Sequence, residues 1–208
     1  MNNEVSQIDL IKQSIYTVLL HDIDHEKIAY EVEKFGLPVG SDCEDYGYVS
    51  RGFVQHEDII CPVTTEFTKL ESSVIEAVSR ITGKDYEIDE MWAVNLVRNQ
   101  SVIAHSHYKN SHIYPGEYYS IAYYPLAPSG SAELIFSASW CGHMHKTLAV
   151  KPEDGMMVVF NSFITHMTAR QISENKRIVV SMNLSPVEPE TKPNADWSAY
   201  KNRPLIAE

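Results

Sequence analysis

The chain is poor in cysteine. Its three, Cys43, Cys61 and Cys141, are odd in number and form no Cys-x-x-Cys spacing, which argues against a disulfide framework and a thiolate zinc site. Long apolar runs are also missing: the stretches extend over only a few residues, where a membrane-spanning helix needs about 20. No extended basic run occurs, and 17 Lys and Arg against 28 Asp and Glu leave a formal net charge of −11. Neither nucleic acid nor an anionic membrane is therefore expected as the main partner. The opening MNNEVSQIDL carries early acids and no apolar core, so it does not read as a secretory leader. A reducing, cytoplasmic setting is the expectation. At 208 residues the chain suffices for one domain with a substantial core, and a homodimer stays open.

What is present divides in two. Residues 14–20 (SIYTVLL) are β-branched and aromatic, which predicts a strand. Asp24 caps a predicted helix over 25–35, with Ile28, Val32 and Phe35 at helical spacing and Gly36 as the stop. Residues 37–62, rich in Gly, Asp, Pro and Tyr, read as a long irregular connection. Thr64 or Thr65 then opens a second helix to Thr82, with Phe67, Leu70, Val74, Ala77, Val78 and Ile81 in one stripe before Gly83. From residue 86 the pattern changes to short apolar runs at 90–97, 102–108, 118–125, 132–137, 147–151, 156–160, 165–170 and 176–184. Turn-formers such as Pro128-Ser129-Gly130 and Glu153-Asp154-Gly155 separate them. Eight strands at that spacing predict a mainly β fold with flanking helices, a sandwich or jelly-roll barrel. The expected organisation is a single domain. Residues 1–85 pack on the barrel, 86–185 form it, and 186–208 are a polar tail, read as a flap held by Trp197 and Tyr200 or as a loose end.

The chemistry centres on histidine. His105-Ser106-His107 is followed by His166, 59 residues on, and by Arg177, 11 further. Two residues at i and i+2 of an extended segment point the same way, so both imidazoles can meet a third from a distant strand. Three ligands on one face of a first-row metal leave adjacent positions open, the arrangement of non-haem iron sites. Arg177 precedes an apolar strand in which 177, 179, 181 and 183 share a face, so Arg177, Ser181 and Asn183 line one wall. A guanidinium there matches a carboxylate in bidentate fashion, as a lysine cannot. Arg170 is the competing arginine, four residues after His166. Among the tyrosines, Tyr119 and Tyr123 share odd parity with the ligand pair and are candidates for the interior. His143-Met144-His145, in a loop-like segment near Cys141, offers too few local ligands for zinc and is expected to contact substrate. His21, His25, His56 and His112 read as structural or surface residues.

The order of these parts resembles the 2-oxoglutarate/Fe(II)-dependent oxygenases, most closely their small, uncharacterised bacterial and phage-type members. The resemblance is carried by Trp92 and Asn95, His105 and His107, Gly116 with Tyr118-Tyr119, Pro125, and Leu134-Ile135-Phe136. It continues through Phe160-Asn161-Ser162 before His166, and Arg177-Ile178 leading to Asn183. It covers roughly residues 90 to 185. It implies a double-stranded β-helix with Fe(II) held by His105, His107 and His166. Arg177 would face the distal carboxylate of 2-oxoglutarate, aided by Asn183, Tyr119 and Ser181, with O2 as the oxidant. Asn95, Trp92, Tyr123, His143 and His145 are then the substrate-side candidates, for a small molecule, amino acid or peptide side chain. The chain departs from the superfamily in two places. Histidine stands at 107 where most members carry a carboxylate, so His107 is either the ligand or replaced by a carboxylate such as Glu117. Ser137-Ala138-Ser139 stands where the relatives tend to show Asp-Pro-Arg. Two rival readings accompany this one: a cupin-like three-histidine enzyme without 2-oxoglutarate, and a non-enzymatic binding module.

Overall fold

The computed structural model describes residues 14–38, 57–107, 117–140 and 144–187. In chain order these form β1 (Ile15–Leu19), α1 (His25–Phe35), β2 (Leu37–Pro38), β3 (Glu57–Ile60), α2 (Thr65–Thr82), β4 (Tyr86–Leu96) and β5 (Val102–His105). Then follow β6 (Tyr119–Leu126), β7 (Leu134–Trp140), β8 (Met144–Val150), β9 (Met156–Asn161), β10 (Thr165–Thr168) and β11 (Arg177–Pro186). The helices begin and end where their caps require. Asp24 accepts from the Lys27 N–H at 3.0 Å, Thr64 accepts from the Phe67 N–H at 3.2 Å, and Gly83 closes α2 in the left-handed conformation. No helix among the described residues is long and apolar enough to cross a membrane.

The strands make two antiparallel sheets. Seven run in the order β1-β9-β6-β11-β4-β3-β2 and four in the order β5-β10-β7-β8. All eight strands expected after residue 86 are present. The segment read as an irregular connection over 37–62 also contains β2 and β3. There Ile59 and Ile60 pair with Ala93 and Trp92 on the free edge of β4, a long-range pairing that so short a run does not announce.

Alternation on the large sheet sorts its side chains into two cores. Ile178, Val180, Met182 and Leu184 of β11 join Ile121 and Tyr123 of β6 and Met157 and Val159 of β9 against Ile28 and Val32 of α1 and Phe67, Leu70, Val74 and Val78 of α2. The opposite face carries Val94, Leu96, Ala122, Tyr124, Val158, Phe160 and Val179, which meet Leu134 and Phe136 of the small sheet. The turn before β9 is drawn tight against α1. Gly155 has φ +78°, and a Cβ there would lie 2.4 Å from the His25 ring, so only glycine fits. The connection from β10 to β11 is fixed by Gln171, fully buried. Its Oε1 accepts from the Ala132 N–H (2.7 Å), its Nε2 donates to Asn175 O (2.8 Å), and its backbone bonds Asn99 and Gln100. That anchor determines where β11 enters the sheet, and Arg177 is its first residue.

Candidate active site

His105 ends β5 and stands directly opposite His166 of β10, whose other neighbour is Phe136 of β7. His107 lies just past β5, held by its backbone N–H to Ser162 O at 2.9 Å. The three rings converge, with centroids 4.4 Å (His105–His166), 5.0 Å (His105–His107) and 5.1 Å (His107–His166) apart. Each offers a ligand atom, and these atoms lie within 4.8 Å of one another. Backbone carbonyls set two of the tautomers. His105 Nδ1 is 2.7 Å from Ile103 O and His166 Nδ1 is 2.9 Å from Ile164 O. A carbonyl only accepts, so both Nδ1 atoms carry the proton and Nε2 is the lone-pair nitrogen, as in second-sphere support of metal ligands. Burial, followed by the neighbouring His105, pushes His166 down to about 3. It is therefore a neutral imidazole at neutral pH, the form that binds metal. The carboxylate that might have replaced His107 is engaged elsewhere: Glu117 pairs with Lys84 at 2.5 Å.

Arg177 is 1% exposed, the largest of the fully buried side chains among the described residues. It begins the inward-facing row of β11, and its guanidinium carbon lies 4.7 Å from the centroid of the Tyr124 ring. Its Nε and Nη1, together with the Tyr124 hydroxyl, are buried without a hydrogen-bond partner. Burial drives the Tyr124 phenol upward in pKa, while the adjacent guanidinium acts the other way. A lone buried cation is costly. Two orphaned N–H groups and a phenol beside them make the donor set that a carboxylate satisfies. Arg170, by contrast, is exposed beyond the end of β10.

The rest of the inner row reads Val179, Ser181, Asn183. Ser181 faces Trp92 across β4, and the Trp92 ring lies 5.4 Å from that of His107. Asn183 is buried and sits 2.8 Å from Ser120 Oγ, which is 2.9 Å from Ser162 Oγ. Its Nδ2 donates to Glu90 Oε2 at 2.9 Å. Tyr119 and Tyr123, expected in the interior, lie on the other face. Tyr123 is in the helix-side core with its hydroxyl 2.6 Å from His25 Nδ1, and Tyr119 packs edge-on against Tyr86. The parity argument could not cross the segment between the ligand pair and β6, and Tyr124 takes the interior position instead. Asn95 alternates away from Trp92 and shares the helix-side face with Ala93. His25 has a structural partner in Tyr123. His143, the side chain of His145 and the tail with Trp197 and Tyr200 lie outside the described residues. Glu90 and Ser120 were not singled out from sequence. Only the single-step alternation from Trp92 could have pointed to Glu90.

No protein-family model and no curated protein sequence matches the chain. Solved structures do. HygX from Streptomyces hygroscopicus, with nickel, 2-oxoglutarate and hygromycin B bound, superposes with a TM-score of 0.60 at 11% identity, over 84% of each chain. The α-ketoglutarate-dependent carbocyclase SnoK of nogalamycin biosynthesis gives 0.62 at 12% identity, covering 94% of this chain and 90% of its own. A Pseudomonas putida prolyl-4-hydroxylase gives 0.57 at 12%, covering 83% and 91%. The fold is that of the 2-oxoglutarate/Fe(II) oxygenases. The two-sheet jelly-roll expected from the strand pattern is thus present, and in this fold the three histidines and Arg177 share the space between the sheets.

Proposed function

We propose that the protein is a non-haem Fe(II) enzyme that uses 2-oxoglutarate and O2 to oxidise, most simply to hydroxylate, a small metabolite, an amino acid or a peptide side chain. One observation carries this reading: a buried guanidinium with two unpartnered N–H groups begins the row of the large sheet that faces the small one, and the small sheet carries two of three converging imidazoles. The residues fit both groups. A first-row ion binds imidazole nitrogen at about 2.0–2.1 Å, so a ligand set this compact needs only small side-chain adjustments to share one. Arg177 and Tyr124 supply donors for the far carboxylate of the co-substrate. When bound, iron and 2-oxoglutarate together supply the oxidising chemistry, with succinate and CO2 as by-products. The protein's part is to orient and to exclude water. Ile103 and Ile164 carbonyls aim two of the imidazoles, Arg177 fixes the register of the co-substrate, and Phe136 and Phe160, whose rings lie 6.2 Å and 4.7 Å from that of His166, shield the ligand.

Three neutral ligands also favour a second reading, a cupin-like three-histidine dioxygenase or isomerase without 2-oxoglutarate. A site bearing +2 rather than +1 still suits a dianionic co-substrate, and that reading leaves Arg177 without a counter-ion. Anaerobic titration separates the two. Adding 2-oxoglutarate to the iron protein should produce a weak visible absorption band, with about one iron per chain. Iron binding with no band and no calorimetric heat on adding 2-oxoglutarate would favour the cupin-like alternative.

A further inference from the structure

Sheet register places two of the three imidazoles and not the third. His105 and His166 face each other across β5 and β10, and β5 ends at His105. His107 lies two residues past that end. Its backbone is tied instead to the turn between β9 and β10, by its N–H to Ser162 O at 2.9 Å. A ligand has to be held to about 0.5 Å if its ring is to share an ion with two others. Whatever fixes Ser162 therefore fixes the third ring.

Ser162 is 3% exposed and is tied at three points. Its N–H donates to Tyr118 O at 2.9 Å, its carbonyl accepts from His107, and its hydroxyl lies 2.9 Å from that of Ser120. The hydroxyl bond has a direction. Asn183 Nδ2 donates to Glu90 Oε2, which turns the amide oxygen to Ser120 at 2.8 Å. An amide oxygen only accepts, so the single Ser120 hydrogen goes to Asn183 and Ser162 must donate to Ser120. A buried chain thus runs from the β9–β10 turn across β6 to β11. Ser120 continues the row of Ala122 and Tyr124, and Asn183 that of Val179, positions that are otherwise apolar. Polar groups there cost desolvation that apolar ones would avoid, and once fully paired they rigidify what they join. They stand beside the ligand that the sheet does not hold. We infer that Ser162 is the positioning residue of the third metal ligand: the Ser162–Ser120–Asn183 chain pins the turn, and the turn's carbonyl sets His107 among the other two histidines. The inference rests on the three-histidine metal site of the proposed function and is independent of its co-substrate.

The test is anaerobic titration with Fe(II), and with Co(II), whose visible absorption reports the number and geometry of its ligands. Ser162→Ala keeps the carbonyl and removes the hydroxyl. It should weaken Fe(II) binding about tenfold and alter the Co(II) spectrum. His107→Ala should weaken binding more. Adding Ser162→Ala to it should then cost nothing further, because a residue that acts through His107 has nothing left to act on. Ser120→Ala leaves Ser162 whole but disconnects it from Asn183, and should move both readouts the same way to a smaller extent. Tyr123→Phe, which removes a hydrogen bond on the helix side, should lower the melting temperature and move neither. Unchanged affinity and spectrum in Ser162→Ala, or in Ser120→Ala where the first variant does not fold, would overturn the assignment. So would an equal loss with and without His107. A wild-type protein that binds metal but no 2-oxoglutarate sinks the oxygenase reading and leaves the assignment standing; one that binds neither metal sinks both.

Discussion

The two faces of the seven-stranded sheet solve burial in opposite ways. On the helix side, apolar residues from seven elements close the core, and the polar atoms among them find partners. Tyr123 meets His25, Thr64 donates to Glu31 at 2.6 Å, and Glu66 accepts from the Asp24 N–H at 3.2 Å; Asn95 Oδ1 is the exception. On the inner side, Arg177 and Tyr124 are left with orphaned polar atoms, and three imidazoles converge. An unsatisfied buried polar group costs about 1–3 kcal/mol. A fold that satisfies such groups on one face and leaves them open on the other keeps its structural core on the first and, under the proposed function, its binding site on the second.

The contrast can be broken residue by residue. The largest effect is expected at the metal. His166→Ala should remove tight iron binding, read by anaerobic titration, while the helix-side core keeps the protein folded by circular dichroism. Next comes Arg177→Ala. Losing one partner of a buried guanidinium–carboxylate pair costs roughly 3–5 kcal/mol, or about two to three decades in affinity. The dissociation constant for 2-oxoglutarate should rise at least a hundredfold, with iron binding retained. Arg177→Lys should recover part of the loss, and Arg170→Ala should change little. A third effect is on stability. His166 in the folded chain protonates only at about 3, against 6.5 for a free imidazole, so between those values the unfolded state binds the extra proton. The metal-free protein should lose up to about 1.4 kcal/mol per pH unit as pH falls through that window. Urea melts at pH 7 and pH 5 measure the loss, and His166→Phe should flatten it. The smallest change belongs to the satisfied face: Tyr123→Phe removes one hydrogen bond, costing about 1 kcal/mol and about 2–4 °C in melting temperature. Co-substrate affinity should stay as it was, and a marked loss would mean that the two faces are coupled.

Much of this was legible before any coordinates. Caps at Asp24 and Thr64 and stops at Gly36 and Gly83 are local signals, and the helices obey them. Runs of apolar residues between turn-formers are also local, and each became a strand. The pair His105 and His107 could be read as convergent because a two-residue step preserves facing. Tyr119 and Tyr123 failed for the same reason in reverse, since parity does not survive an irregular segment. Strand order was not legible, because whether β11 lies beside β4 or at an edge depends on partners some 90 residues away. Glu90 shows the same limit. On its own a glutamate reads as surface, and only its register with Asn183 places it, half-buried, on the inner face of the sheet.

The position of β11 also sets a timetable for folding. It is the last described strand in the chain, yet it lies between β4 and β6, pairing with Arg177↔Leu96 on one side and Ser181↔Ala122 on the other. During synthesis both neighbours therefore emerge with unpaired edges and stay so until residue 186 is free to reach them. Such pairings at long sequence separation are slow to form, and open edges in the interval invite association between chains. A chain stopped before Arg177 would lack the strand that unites the two halves of the sheet, so neither face would be built. Recombinant yield should accordingly depend on slowing synthesis or lowering temperature more than on any single core residue.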